Sequence, residues 1–190
     1  ADTVSGTMSV TSAAQLELAK SVSGDVTVRT SGSAGDLSAA SVSGDVKLTQ
    51  VKARGIEASS VSGGVTLADV ACNRAKVKSV SGDIAFGGPL AKGGRYALQS
   101  HSCDVSVYVD GSMGFEVAAG TFSGDISSDL QLVSTFGGEG EGGQPGRRPK
   151  GGPGQRVRGT FGDGGAFLEL GSFSGNVRIV SKAAAKPVKK

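Results

Sequence analysis

The sequence predicts an all-β fold: a single-domain parallel β-solenoid, or β-helix, with coils of about 20 residues and a C-terminal hairpin insertion. Three observations predict it. The hexapeptide Ser-Val-Ser-Gly-Asp-Val recurs in phase, with Gly24, Gly44, Gly63 and Gly82 spaced by 20, 19 and 19 residues. Within each copy apolar and polar residues alternate with the period of a strand. The composition, 32 Gly with no Trp and 5% aromatic residues, disfavours a helical bundle or a core of large side chains and implies closely approaching backbones.

Taken in order, the series begins with a degenerate copy, Val4-Ser5-Gly6-Thr7-Met8, followed by the four regular hexapeptides. The same phase continues through Ser100-His101-Ser102-Cys103-Asp104-Val105 and Thr121-Phe122-Ser123-Gly124-Asp125-Ile126. After an insertion comes Ser172-Phe173-Ser174-Gly175-Asn176-Val177. Strict alternation places Val22, Gly24, Val26 and Val28 on one face, with Ser21, Ser23, Asp25 and Thr27 on the other. Stacking in chain order aligns Val26, Val46, Val65, Ile84, Val105, Ile126 and Val177 as an interior ladder, beside Val28, Leu48, Leu67, Phe86 and Val107.

A weaker second strand in each period follows from the alternation at Leu37-Ser38-Ala39, Ile56-Glu57-Ala58, Tyr96-Ala97-Leu98, Phe115-Glu116-Val117 and Leu168-Glu169-Leu170. A glycine in mid-strand is unfavourable, so its recurrence in the strong motif marks a corner. The solenoid is expected to span residues 1–181. It includes a hairpin over 129–161, built from strands at Leu130–Phe136 and Gln155–Phe161, with a flexible tip at 137–154 of Gly, Pro and charge. Residues 182–190 read as a disordered basic tail.

The net charge of +3 is concentrated around Arg147 to Arg158 and in the tail, which leaves the body nearly balanced and implies no nucleic-acid partner. No apolar run reaches the roughly 20 residues of a transmembrane helix. Ala1-Asp2-Thr3 has neither the basic nor the apolar region of a signal peptide. Cys72 and Cys103 are too few for a disulfide framework and lack the spacing of metal ligands.

The recurring Ser-Val-Ser-Gly-Asp-Val, together with Gly164-Gly165-Ala166-Phe167-Leu168-Glu169-Leu170 and the Ser-Phe-Ser-Gly-Asn-Val that follows at 172–177, resembles the bacterial putative-adhesin domain of unknown function. The likeness covers nearly the whole chain. It implies a β-solenoid at the bacterial cell envelope or outside the cell, secreted or lipid-anchored, whose export signal would lie outside this sequence. The chain departs from the pattern at Gly64, which stands where Asp recurs, and at His101 and Cys103, which stand for Val and Gly.

Three constellations are candidates for chemistry. The outward column Asp25, Asp45, Asp83, Asp104 and Asp125 could hold a hard cation between coils. Carboxylates following Ser-Gly also accept hydrogen bonds from local backbone N–H or Ser hydroxyls, and that structural role is the one expected. His101 and Cys103 form a Cys/His pair at i and i+2, which alternation places inward, away from substrate and without an orienting third residue. The basic set Arg147, Arg148, Lys150, Arg156 and Arg158 could contact a polyanionic envelope polymer, and it lacks the interleaved aromatics that stack on bases.

No cofactor and no metal is expected. With two tyrosines and no tryptophan, the chain offers neither a sugar-stacking cleft nor a paired acid and base, so no enzyme is expected. The reading is a noncatalytic, adhesin-like scaffold or binding module whose partner is an envelope component or a polyanionic surface polymer. The alternative is a filament subunit that self-associates head to tail through open solenoid ends.

Overall fold

The computed structural model describes residues 2–12, 18–30, 33–111, 113–130, 132–134 and 155–182. Its strands come in pairs that alternate between two sheets. In chain order they are β1 (Asp2–Ser5), β2 (Met8–Ser12), β3 (Leu18–Ser23), β4 (Val26–Thr30), β5 (Ser33–Ser43) and β6 (Val46–Thr49). They continue as β7 (Lys52–Ser62), β8 (Val65–Ala68), β9 (Ala71–Ser79), β10 (Ile84–Gly87), β11 (Leu90–Ser100) and β12 (Val105–Val109). The last six are β13 (Phe115–Thr121), β14 (Ile126–Ser128), β15 (Val133–Ser134), β16 (Gln155–Phe161), β17 (Ala166–Ser172) and β18 (Val177–Ser181).

Odd-numbered strands up to β13, with β17, form a parallel stack that β16 and β15 extend into a ten-stranded sheet. Even-numbered strands from β2 to β14, with β18, form a second, eight-stranded sheet. This is the all-β solenoid with a coil spacing of about 20 residues that the repeat predicts.

Each sheet turns alternate residues into a narrow shared core. From the eight-stranded sheet come Val26, Val46, Val65, Ile84, Val105 and Val177, all fully buried, and beside them Val28, Leu48, Leu67, Phe86, Val107 and Ile179. The other sheet supplies Ala19, Ala39, Ala58, Val77, Leu98, Leu170 and Ala119 opposite them. Small residues there let the two sheets approach closely while β-branched residues fill the other side.

Two expectations are corrected. The first is parity: Ser21 is buried, whereas Val22 is 52% exposed. The same holds in every regular copy, with Ser41, Ser60 and Ser79 inside and Val42, Val61 and Val80 outside. Alternation does not carry through the Ser-Gly-Asp corner, because the chain changes sheet there and the inward direction changes with it. Val26 is therefore inward even though Val22, four residues earlier, is not.

The second correction is order. The coil of β17 and β18 lies between that of β11 and β12 and that of β13 and β14. Val177 thus pairs with both Val105 and Ile126, so the ladder runs Val105, Val177, Ile126. The cause is β16, which pairs antiparallel with β13 on its outer edge, while β17 pairs parallel with β13 on its inner edge. Residues 162–165 cross over the start of β13 to join them. Gly162 and Gly164 take positive φ in this crossing, and a Cβ on Gly114 beneath it would overlap the backbone nitrogen and carboxylate of Asp163.

Strand β15 pairs antiparallel with β16 through Val133↔Thr160 and Ser134↔Gly159. The expected tip at 137–154, and residues 183–190 of the expected tail, lie outside the described residues.

The corner glycines stack directly. A Cβ built on Gly24, Gly44, Gly63 or Gly82 would overlap the carbonyl of the corner glycine one coil earlier, so the constraint is the adjoining backbone as well as the bend. Those carbonyls are held from inside: Ser41 Oγ donates to Gly24 O (3.1 Å), Ser60 Oγ to Gly44 O (3.1 Å) and Ser79 Oγ to Gly63 O (3.3 Å). Thr121 and Ser172 repeat the contact to Gly175 and Cys103 at 2.9 and 3.0 Å. The buried hydroxyls of these five residues are thereby satisfied, as burial requires, whereas Ser21 Oγ, in the first regular copy, is buried without a partner.

Substituting Gly63→Ala should cost at least about 1–3 kcal/mol by overpacking. Gly35→Ala, with open space at its Cβ, should change stability by less than about 0.5 kcal/mol. Chemical denaturation of both variants checks this; equal effects would remove the stacked corner as the constraint.

Candidate binding surface

The aspartate column is assembled by the corner that follows each glycine. Asp25 Oδ1 accepts the Asp45 amide (2.9 Å), Asp45 Oδ1 the Gly64 amide (2.8 Å), and Asp83 Oδ1 the Asp104 amide (3.2 Å). Asp104 Oδ1 accepts both the amide and Nδ2 of Asn176 (2.8 and 3.2 Å), and Asn176 Oδ1 accepts the Asp125 amide (3.0 Å). The acceptor role is the expected one, but the donor is not local: the carboxylates of Asp25, Asp45, Asp83 and Asp104 each reach the next coil. The carboxylates are spent on backbone N–H groups that would otherwise lack partners at the corner. No cluster of three or more potential metal ligands occurs among the described residues. Arg178 approaches Asp104 Oδ2 at 3.9 Å.

His101 is corrected in the same way as Val22. It points outward and stacks on Phe173 (5.0 Å, 10°), which stacks on Phe122 (4.9 Å, 3°). These rings continue the exposed ridge of Val22, Val42, Val61 and Val80 at one strand spacing. Cys103 sits in the corner-glycine position, where its amide donates to Ser100 Oγ (3.2 Å). Burial, then the Asp83 and Asp104 carboxylates, raise its thiol pKa, the direction opposite to an activated nucleophile. Cys72 is buried in the core, and neither cysteine is in a disulfide.

Burial pushes the Cys72 thiol up to about 11, partly offset by the Arg74 backbone. Burial likewise pushes the Tyr96 hydroxyl up to about 12, against the hydrogen bond from Ala91 and with the Cys72 charge adding to the rise. Tyr96 Oη accepts the Ala91 amide (2.8 Å) and donates to Cys72 O (2.7 Å).

Arg156 and Arg158 lie exposed on β16, opposite Gly120 and Ala118. Arg147, Arg148 and Lys150 lie outside the described residues. The two arginines extend a basic outer face of the ten-stranded sheet that the repeat reading missed. Exposed Lys20, Arg74, Lys76, Lys78 and Arg95 share it with Asp36, Glu57, Glu116 and Glu169. The available signal was the weak second strand, where Arg74 and Arg95 recur one coil apart. The outer face of the other sheet carries fewer charged residues: exposed Arg29, Lys47 and Arg178 stand among small neutral ones such as Thr27, Thr66, Ala85 and Ser106.

Asp104→Ala should cost about 1–3 kcal/mol, since it leaves the Asn176 amide without its acceptor. Asp104→Asn should cost less, because an amide oxygen already plays that part at Asn176. Calcium should leave the melting temperature of the native chain unchanged; a rise on calcium addition would restore the cation reading of the column.

Raised pKa values in the folded state mean that the folded chain holds these protons longer than the unfolded one. The stability from Cys72 and Tyr96 is therefore complete below about pH 9 and is lost as pH rises through 11 to 12. Melting followed from pH 8 to 12 should show a fall on the order of 2–3 kcal/mol per group, and Cys72→Ala should flatten its lower part.

No curated protein matches this chain. A solved structure described as "putative cell adhesion protein from Clostridium sporogenes" aligns with a TM-score of 0.42 and 13% identity, over 83% of this chain and 56% of its own. The chain thus spans little more than half the length of that structure. The Toastrack DUF4097 family matches residues 1–148, most of the repeat series. The chain belongs to the Toastrack DUF4097 family.

Proposed function

We propose that this chain is a noncatalytic, adhesin-like solenoid module of the bacterial cell envelope or its exterior, which offers one sheet face to a polyanionic surface polymer. The observation that carries the reading is the density of cations on one face: Arg74, Lys76, Lys78, Arg95, Arg156 and Arg158 line the outer side of the ten-stranded sheet, twice the number on the outer side of the other, Arg29, Lys47 and Arg178. Membership of a family described by an architecture and not by a reaction supports the noncatalytic part. A rigid array of cations at strand spacing suits a long anionic chain, because many weak contacts add without new ordering of the protein. Among the described residues the space between the sheets is filled mainly by buried Val, Leu and Ala, which directs the reading to the outer faces.

The filament alternative draws on the open edges of β1 and β2 at one end and β14 at the other. Against it, β16 covers the β13 edge in antiparallel sense, so a further coil could not continue that sheet in parallel.

Binding of lipopolysaccharide and of a soluble polyanion such as heparin should weaken steeply with salt and fall when Lys78, Arg156 and Arg158 are changed together to Ser. Equal binding by the triple variant, or a native chain found only in the cytosolic fraction, would overturn the proposal. Sedimentation velocity should give a concentration-independent monomer; growing filaments would favour the alternative.

A further inference from the structure

The basic face is not uniform. Arg74 and Arg95 are direct partners in the parallel register of β9 and β11, and Phe167 is the next residue in that row on β17. The adjoining row runs Lys76, Ala97, Glu169. Ala97 is the small member among long neighbours, and above it opens a shallow depression of about 630 Å³ lined by Arg74, Lys76, Arg95, Phe167 and Glu169. That volume lies within the range of small-ligand clefts.

Two features mark the depression as built for a ligand. Arg74 and Arg95 stand one strand spacing apart, about 4.8 Å between backbones, and neither makes an ion pair among the described residues. Lys76 does, with Glu57 at 3.5 Å. Two guanidinium groups carried on neighbouring strands repel each other, an anion bound to both relieves that repulsion, and their planar forks match a carboxylate. On the other side, Phe167 is 37% exposed and gives the depression an apolar wall.

We infer that this depression binds a carboxylated saccharide: its carboxylate on Arg74 and Arg95, the C–H face of its ring on Phe167, and a hydroxyl on Glu169. Glu169 decides the class. A carboxylate there accepts hydrogen bonds from sugar hydroxyls, yet it repels the closely spaced charges of a nucleic acid or a densely sulfated chain. This assignment rests on the surface-binding reading above and names the ligand class within it.

Calorimetric titration with a short oligogalacturonate, a neutral maltooligosaccharide and heparin tests it on the full chain. The oligogalacturonate should bind and the neutral sugar should not. Arg74→Ala or Arg95→Ala should weaken the oligogalacturonate at least about tenfold, and Arg95→Lys should not restore it, since a lysine lacks the fork. Phe167→Ala should weaken the oligogalacturonate and leave heparin unchanged. Arg158 lies three strand spacings from Ala97, about 14 Å, so Arg158→Ala should leave the short ligand within about twofold. Each variant's melting curve reports folding independently. Binding of every polyanion with equal sensitivity to any lost cation would overturn the assignment and leave the general surface reading intact. Failure to bind any polyanion would overturn both.

Discussion

The close stacking of one coil's backbone on the next at the Ser-Gly-Asp corner is the constraint on which the rest of the structure depends. At that corner three neighbouring residues each meet the adjoining coil. The glycine has no room for a Cβ against the carbonyl before it, the buried serine hydroxyl donates to such a carbonyl, and the aspartate accepts an amide. Backbone groups at a sheet-to-sheet turn would otherwise lose their partners, because strand pairing alone does not reach around the bend. Satisfying them between coils lets the turn be tight, and a tight turn keeps the core narrow enough for Ala and Val to fill it.

The corner also explains why the motif recurs. Repeated carboxylates at a fixed spacing suggest a cation site, but their oxygens are directed along the solenoid toward the next amide. Asn176 stands in the aspartate position and makes the same bond to Asp125, so an uncharged acceptor oxygen serves there as well as a carboxylate. The chemistry open to solvent lies elsewhere, on the sheet face where side chains are not consumed by stacking. There the residue types vary from coil to coil, as a ligand-facing surface can and a stacked corner cannot.

The C-terminal region imposes a different kind of order. Strands β16 and β17 grip β13 from both edges, joined by the four-residue crossing over Gly114. One edge of β13 is thereby filled by the last coil and the other by an antiparallel strand, which ends the parallel stack of that sheet. Closing a long loop to insert a coil between two others costs entropy that grows slowly with loop length. The gain is a full set of ladder bonds on both sides of the inserted strands. The Phe173 ring, between His101 and Phe122, marks the position of the inserted coil on the outside.

Periodicity alone determined the solenoid, its coil length, the inward ladder of Val26, Val46, Val65 and Ile84, and the corner role of the glycines, because each follows from a local pattern repeated at a fixed interval. Tertiary structure decided what no local pattern encodes. The inward direction changes at the corner, so Val22 and His101 face solvent although alternation counted from Val26 places them inside. The coils at 121–126 and 172–177 carry nearly the same motif, so either could stack on 100–105, and only the β16 crossing selects the second. The pairing of Arg74 with Arg95 beside Phe167 joins residues more than 70 positions apart in the chain, a neighbourhood created by the inserted coil and absent from a stack in chain order.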